Sequence, residues 1–102
     1  MNRRILLWLV KNGFRVDKIG TTYIACGIEM VKDNPYISAC EIYKKIAGNS
    51  KKSIKHIEKA IRYSIQNDWE KTTFVKYCEK PKSYEVIVLL ELLYSVKGDK
   101  NE

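Results

Sequence analysis

Residues 53–69 constrain the fold more than any other stretch of this chain. Ile54, Ile57, Ala60, Ile61, Ser64 and Ile65 recur at steps of three and four. That spacing lines up on one stripe of an α-helix and does not fit the two-residue alternation of a half-buried strand. Lys55, His56, Lys59, Arg62, Tyr63 and Gln66 fall on the opposite side. A helix divided this way buries its apolar stripe against neighbouring elements and presents its basic side outward.

The placement of charge sharpens that picture. The formal net charge is +7. Between residues 44 and 63, Lys44, Lys45, Lys51, Lys52, Lys55, Lys59 and Arg62 stand against Glu58 alone, so this window holds most of the excess. A focused basic field attracts phosphate backbones and releases their counterions, which gives salt-dependent affinity whatever the base sequence. A helix with a basic outer face suits the major groove of DNA. The other reading of such a cluster is a solvated lysine face.

At 102 residues, 45% of them hydrophobic, the chain suits one domain over residues 1–102 with a single core. Cys26, Cys40 and Cys78 are odd in number, widely spaced and set in apolar stretches. This predicts buried free thiols in a reducing cytoplasm rather than a secreted disulfide framework. The cysteines and His56 lack the paired spacing of a structural zinc site, and no metal or other cofactor is expected. Enzyme chemistry is not indicated either. The chain has one histidine, no glycine-rich phosphate loop, no carboxylates paired at useful spacing and no cysteine beside a candidate base. Trp8 and Trp69 read as core or core-edge anchors. The N-terminal apolar run ends at Lys11 with no small-residue cleavage site after it, so it reads as a short core helix and not a signal peptide. No segment reaches membrane-spanning length, because the longest candidate, residues 86–94, is interrupted by Glu91.

Along the chain, Ile5, Leu6, Leu9 and Val10 would line one side of a first helix, with Asn12-Gly13 supplying a left-handed stop. Thr21 and Thr22 are expected to cap a second helix running to about Asp33, with Ile24, Ile28 and Val31 inward and Asn34-Pro35 as its terminator. Ser38 and Glu41 form a capping box for a third helix, residues 38–50, whose Ala39, Ile42, Tyr43 and Ile46 face the core. A turn through Ser50, Lys51 and Lys52 then leads to Ser53, placed to cap the basic helix. Ala47 precedes Ile57 by the ten residues common in helix-turn-helix units, where a small side chain lets two helices approach; an αα-hairpin tolerates the same spacing. A short helix is expected over residues 72–78. A final helix, residues 83–97, would be capped by Ser83, with Glu85 in its first turn. Residues 86–96 are apolar on almost every side, which predicts either deep burial in the monomer or a shared dimer interface. The tail at 97–102 is polar and expected to fray.

With these elements in place, the chain resembles the C-terminal DNA-binding effector domain of the sporulation initiation response regulator, the stage zero sporulation protein A family. The strongest match is Ile57-Glu58-Lys59-Ala60-Ile61-Arg62-Tyr63-Ser64-Ile65 with Trp69, which is similar to that family's recognition helix. Weaker matches are Asn12-Gly13, Gly20 with Tyr23, residues 28–31, Ile46-Ala47, and Lys80-Pro81-Lys82 leading into the final helix. The resemblance covers most of the chain.

It implies an all-α bundle of about six helices in which residues 38–50 and 53–69 form a helix-turn-helix. The protein would then be a sequence-specific regulator of transcription, binding double-stranded DNA boxes as a dimer. The family's base-contacting positions would fall on Lys55, Glu58, Lys59 and Arg62; beside them, the residues at the turn and the start of the basic helix, Lys51, Lys52, Ser53 and His56, are expected to meet phosphates. Glu58 has a second use as an ion-pair partner of Arg62 four residues on, and His56 can equally be an idle surface residue. Lys59 stands where the family usually has arginine and lacks the bidentate fork that arginine offers guanine. Ser50 replaces a larger apolar or aromatic residue, and Gly48-Asn49 a basic pair. The family's full-length members carry a receiver domain, for which this chain has no room, so a free-standing effector is expected. The polymerase sigma subunit is a further partner that the resemblance suggests, near residues 71–82. The competing function is an interaction protein that engages a full-length regulator through its apolar last helix. RNA binding is disfavoured because no aromatic platform accompanies the basic face.

Overall fold

The computed structural model describes residues 3–98, which form five α-helices and no strand. They are α1 (Arg3–Lys11), α2 (Ile19–Asp33), α3 (Ala39–Ser50), α4 (Ile54–Asp68) and α5 (Ser83–Leu93). The expected sixth helix at 72–78 is instead a pair of 3-10 turns, Trp69–Lys71 and Thr73–Tyr77. Thr72 sets this local geometry. Its hydroxyl donates to Trp69 O at 2.7 Å and accepts from Phe74 N at 3.2 Å, so the chain tightens around it rather than extending an α-helix. After α5 the backbone widens into a π turn, Tyr94–Gly98, ending the predicted 83–97 helix four residues early. Of the tail, residues 99–102 lie outside the described residues.

α2 is the central helix, packed against all four others. Tyr23, Ile24, Ala25, Ile28 and Val31 are buried, together with Gly20, Thr21 and Gly27. The helix ends at Asp33 as expected, with Asn34 N donating to Met30 O at 2.9 Å. Its start differs from the expectation. Lys18, not Thr21 or Thr22, is the N-cap. Thr21 is fully buried, and its hydroxyl donates to Arg15 O at 2.7 Å, closing the α1–α2 loop from inside. A hydroxyl committed to a loop carbonyl serves tertiary structure rather than capping.

Gly20 and Gly13 are glycines for steric reasons. A Cβ on Gly20 would overlap Ala60 O and Ser64 Oγ, so α2 and α4 touch backbone to backbone there. Gly13 has φ +119°, and a Cβ on it would stand 2.7 Å from Lys71 O. The stop after α1 therefore packs directly on the turn after α4. Asn12 O accepts from Thr73 N at 3.0 Å, and Asn12 Oδ1 from Thr73 Oγ1 at 2.7 Å, tying the same two segments.

Around that junction lies an aromatic cluster of Trp8, Phe14, Trp69, Phe74 and Tyr94, with centroids 5.0–6.3 Å apart. Trp69 is buried and its indole N–H donates to Cys78 O at 2.6 Å, fixing the C-terminal end of α4. α5 turns Val86, Ile87 and Leu90 inward, with Tyr94 beyond them, while Leu92 on α5 and Val96 in the π turn are exposed. Its N-cap is Lys82, one residue before the expected Ser83, and Glu85 Oε1 accepts from Lys82 N at 2.8 Å. Among the described residues no helix is long and apolar enough to cross a membrane.

Candidate nucleic-acid interface

The α3–α4 pair is held by end contacts that the sequence specifies locally. Ser38 Oγ accepts from Glu41 N, and Glu41 Oε1 accepts from Ser38 N, both at 3.1 Å. The backbone N–H of Ser38, and then its hydroxyl, hold the Glu41 carboxyl below its ordinary range. At the other end Lys51 adopts the left-handed conformation, φ 59° and ψ 35°, and Lys52 N donates to Ala47 O at 3.2 Å. A lysine in this conformation is strained where glycine would not be. The turn projects Lys51 and Lys52 into solvent. Ser53 Oγ then accepts from His56 N at 3.0 Å and opens α4. Ala47 and Ile57 are both buried in the same core.

α4 divides as its spacing requires, with one exception. Ile57, Ile61, Ser64 and Ile65 are buried and Ala60 is half-buried. Ile54, expected on the same stripe, is 41% exposed. As the first helical residue, it lies beyond the core that the later turns meet. Asp68 joins the buried face, and its Oδ2 accepts from Arg15 N at 3.1 Å. α4 is thereby pinned to the α1–α2 loop by a bond spanning 53 positions of sequence.

Of the residues expected to face bases, Lys55 and Lys59 are exposed. Arg62 and Glu58 are engaged with one another, Nη1 to Oε1 at 3.1 Å. The Arg62 guanidinium lies 5.9 Å from the Tyr63 ring centroid and Lys59 Nζ lies 5.4 Å from it. Lys59, Arg62 and Tyr63 thus form one contiguous patch at the centre of the outer face. Of the residues expected to meet phosphates, Lys51 and Lys52 sit on the turn, the Ser53 hydroxyl is committed to the helix cap, and His56 is exposed one turn into α4.

A groove lies along each flank of this face, one of about 360 Å³ and one of about 460 Å³. The smaller, between the start of α2 and α4, is lined by Lys18, Ile19, His56, Lys59 and Tyr63 among others. The larger, about 460 Å³, lies between α4 and the start of α5 and includes Tyr43, Glu58, Arg62, Gln66 and Lys82. Burial pushes the Tyr43 phenol up, and Glu58 and Tyr84 add to the effect. Lys18 and Lys82 were not legible as site residues in the sequence. They stand 37 and 27 residues from Lys55 in sequence, reach the flanks of α4 only through the fold, and are marked by no local pattern.

The thiols differ from expectation. Cys40 is exposed, and Cys26 and Cys78 are half-buried. Burial pushes the Cys26 thiol up. Cys40 escapes the core because it follows the N-cap by two residues, on the outward side of α3. Among the described residues no group of three or more histidine, cysteine, aspartate or glutamate side chains is placed to hold a metal ion. The chain matches no protein-family model, no curated protein and no solved structure.

Proposed function

We propose that this chain is a sequence-specific regulator of transcription that binds double-stranded DNA, of the kind found in the effector domain of the stage zero sporulation protein A family. α3 and α4 act as its helix-turn-helix, with α4 in the major groove. The observation that carries this is the outer face of α4: Lys55, His56, Lys59, Arg62 and Gln66 are exposed on a helix whose other face is locked into the core. Its one nearby acid, Glu58, is neutralised by Arg62. A rigid helix with exposed donors is what base-edge recognition requires.

In this function Lys55, Lys59 and Arg62 donate to base edges and Glu58 accepts, while Lys51, Lys52, Ser53 and His56 hold phosphates. Unpaired thiols suit a cytoplasmic location. Dimerisation, or pairing with a full-length regulator, would use Leu92 and Val96, the exposed apolar residues near the end of α5. Val86, Ile87, Leu90 and Tyr94 are buried in the monomer core, which leaves Leu92 and Val96 as the exposed apolar residues for the interaction-protein alternative.

The test is selection of bound sequences from a random duplex pool at low and near-physiological salt. Enrichment of a short box that survives the higher salt is the expected result. Binding that vanishes with salt and enriches nothing would reduce the protein to electrostatic attraction.

A further inference from the structure

We infer that Lys18 and Lys82 grip the DNA backbone on the two opposite sides of the major groove that α4 enters, an inference that rests on the DNA-binding function proposed above. The two grooves beside α4 share no lining residue. His56, Ala60 and Tyr63 border one, and Glu58, Arg62 and Ile65 border the other. At about 100° per residue these are opposite flanks of one exposed face. The start of α2 forms the outer wall of the first groove and the start of α5 that of the second, and each presents a lysine, Lys18 or Lys82.

Both lysines hold N-cap positions with extended backbone, where an ammonium group, having donors but no acceptor, cannot bond the free N–H groups of the helix it precedes. Their backbones are firmly placed. The overlap that would follow any Cβ at Gly20 shows how closely the first turn of α2 lies on Ala60 and Ser64 of α4. The start of α5 is fixed by Glu85 Oε1 on Lys82 N at 2.8 Å and by the Tyr84 hydroxyl donating to Ile37 O at 2.8 Å.

A helix with side chains is roughly 10–12 Å across, and the major groove is about 12 Å wide. Whatever flanks the helix on its outer face therefore meets the phosphate ridges bordering the groove. On the α2 side the chemistry is uniformly favourable. Lys18, Lys59 and His56 offer donors, Ile19 and Tyr63 offer apolar surface for deoxyribose, and no acid lines the groove. The α5 side is less uniform: Glu58, which pairs with Arg62 in the free protein, lines that groove, and Lys82 is the positive charge left there for a phosphate once Arg62 is engaged by a base. The phosphate footprint thus extends from the α3–α4 turn to two helix starts that are remote from it in sequence.

The experiment is a fluorescence-anisotropy titration of a labelled random-sequence duplex across a salt series. It uses wild type, Lys18→Ala, Lys82→Ala, the double variant, Lys51→Ala/Lys52→Ala, and Lys76→Ala as a control. Lys76 lines a groove that contains no α4 residue. Each lost phosphate contact should flatten the log–log salt dependence by about 0.9, so the double Lys18/Lys82 variant loses about twice that. Its preferred box in a selection stays unchanged, and Lys76→Ala behaves as wild type. A wild-type protein that binds no duplex overturns both the proposed function and this inference. Wild-type binding that flattens with the Lys51/Lys52 variant but not with Lys18 or Lys82 overturns this inference alone. A loss confined to one of the two lysines overturns the two-sided grip.

Discussion

Gly20→Ala separates helix propensity from packing, because the two make opposite predictions. Propensity alone favours the change: alanine exceeds glycine by about 1 kcal/mol inside a helix, and by less in a first turn. The structure opposes it. The new methyl would overlap Ala60 O and Ser64 Oγ, and Ala60 C would stand at 2.9 Å. A serine hydroxyl can rotate away, but a main-chain carbonyl in mid-helix cannot move without shifting α4. Overpacking of a well-filled contact costs about 1–3 kcal/mol, and backbone overlap puts this case at the upper end. The net expectation is a loss of about 2 kcal/mol, which for a domain of this size lowers Tm by roughly 10 °C. Gly48→Ala is the matched control, since nothing lies within 4 Å of its added Cβ and it too sits within a helix. It should gain about 0.5–1 kcal/mol. The assay is thermal and urea unfolding followed by far-UV circular dichroism. A Gly20→Ala protein as stable as wild type would refute the close α2–α4 contact. Full rescue by adding Ser64→Ala would show that the hydroxyl, not the carbonyl, was the obstacle.

Three other outcomes are expected. Glu41 has its folded-state pKa depressed by its hydrogen bonds to Ser38, so the stability it contributes is present above its ordinary value of 4.5 and is lost as pH falls through the lower folded value. The stability difference between wild type and Glu41→Gln should therefore shrink as unfolding is followed from pH 6 towards strong acid; a difference that grows would reverse the assignment. Iodoacetamide with peptide mapping should modify exposed Cys40 well before Cys26, whose thiol is pushed up by burial. Equal rates would mean that Cys26 is not enclosed. Arg62→Ala should lose about 1–3 kcal/mol of discrimination at one base pair of a selected box while keeping its non-specific affinity, whereas a uniform loss would reassign Arg62 to a phosphate.

What the sequence made legible was local. The Ser38–Glu41 box, the Ser53 cap, the end of α2 at Asp33 and the exposure of Lys55, His56, Lys59, Arg62, Tyr63 and Gln66 follow from spacing within one or two helical turns. The departures share a different origin. Thr21 has the chemistry of a cap but serves the α1–α2 loop, because a carbonyl six residues earlier is folded back over it. Phe14 and Ile37 are buried core residues standing in loops, where no periodicity announces them. The expected helix at 72–78 is tightened by a threonine whose hydroxyl bonds in both directions. Of the candidate interface, the central helix was readable and its flanks were not, since Lys18 and Lys82 become neighbours of α4 only through the packing of α2 and α5.

The Glu58–Arg62 pair bears on how the proposed interface would act. With both side chains partly exposed, 34% and 47%, the pair is a helix ion pair of ordinary strength, worth about 0.3–0.5 kcal/mol. A bidentate contact from arginine to guanine contributes about 1–3 kcal/mol of discrimination. Releasing Arg62 from Glu58 therefore costs less than a correct base pair returns, and the pair positions the guanidinium beside Tyr63 without locking it there. If α4 reads bases as proposed, the same inequality would give Glu58 a selective role. Once Arg62 swings to a base, the carboxylate stands uncompensated beside the DNA unless it accepts a hydrogen bond, and cytosine N4 is the major-groove donor suited to a carboxylate. In the proposed complex, a site lacking such a donor would leave Glu58 repelled by the phosphates, so one acid on a basic helix would raise specificity by weakening binding to wrong sequences.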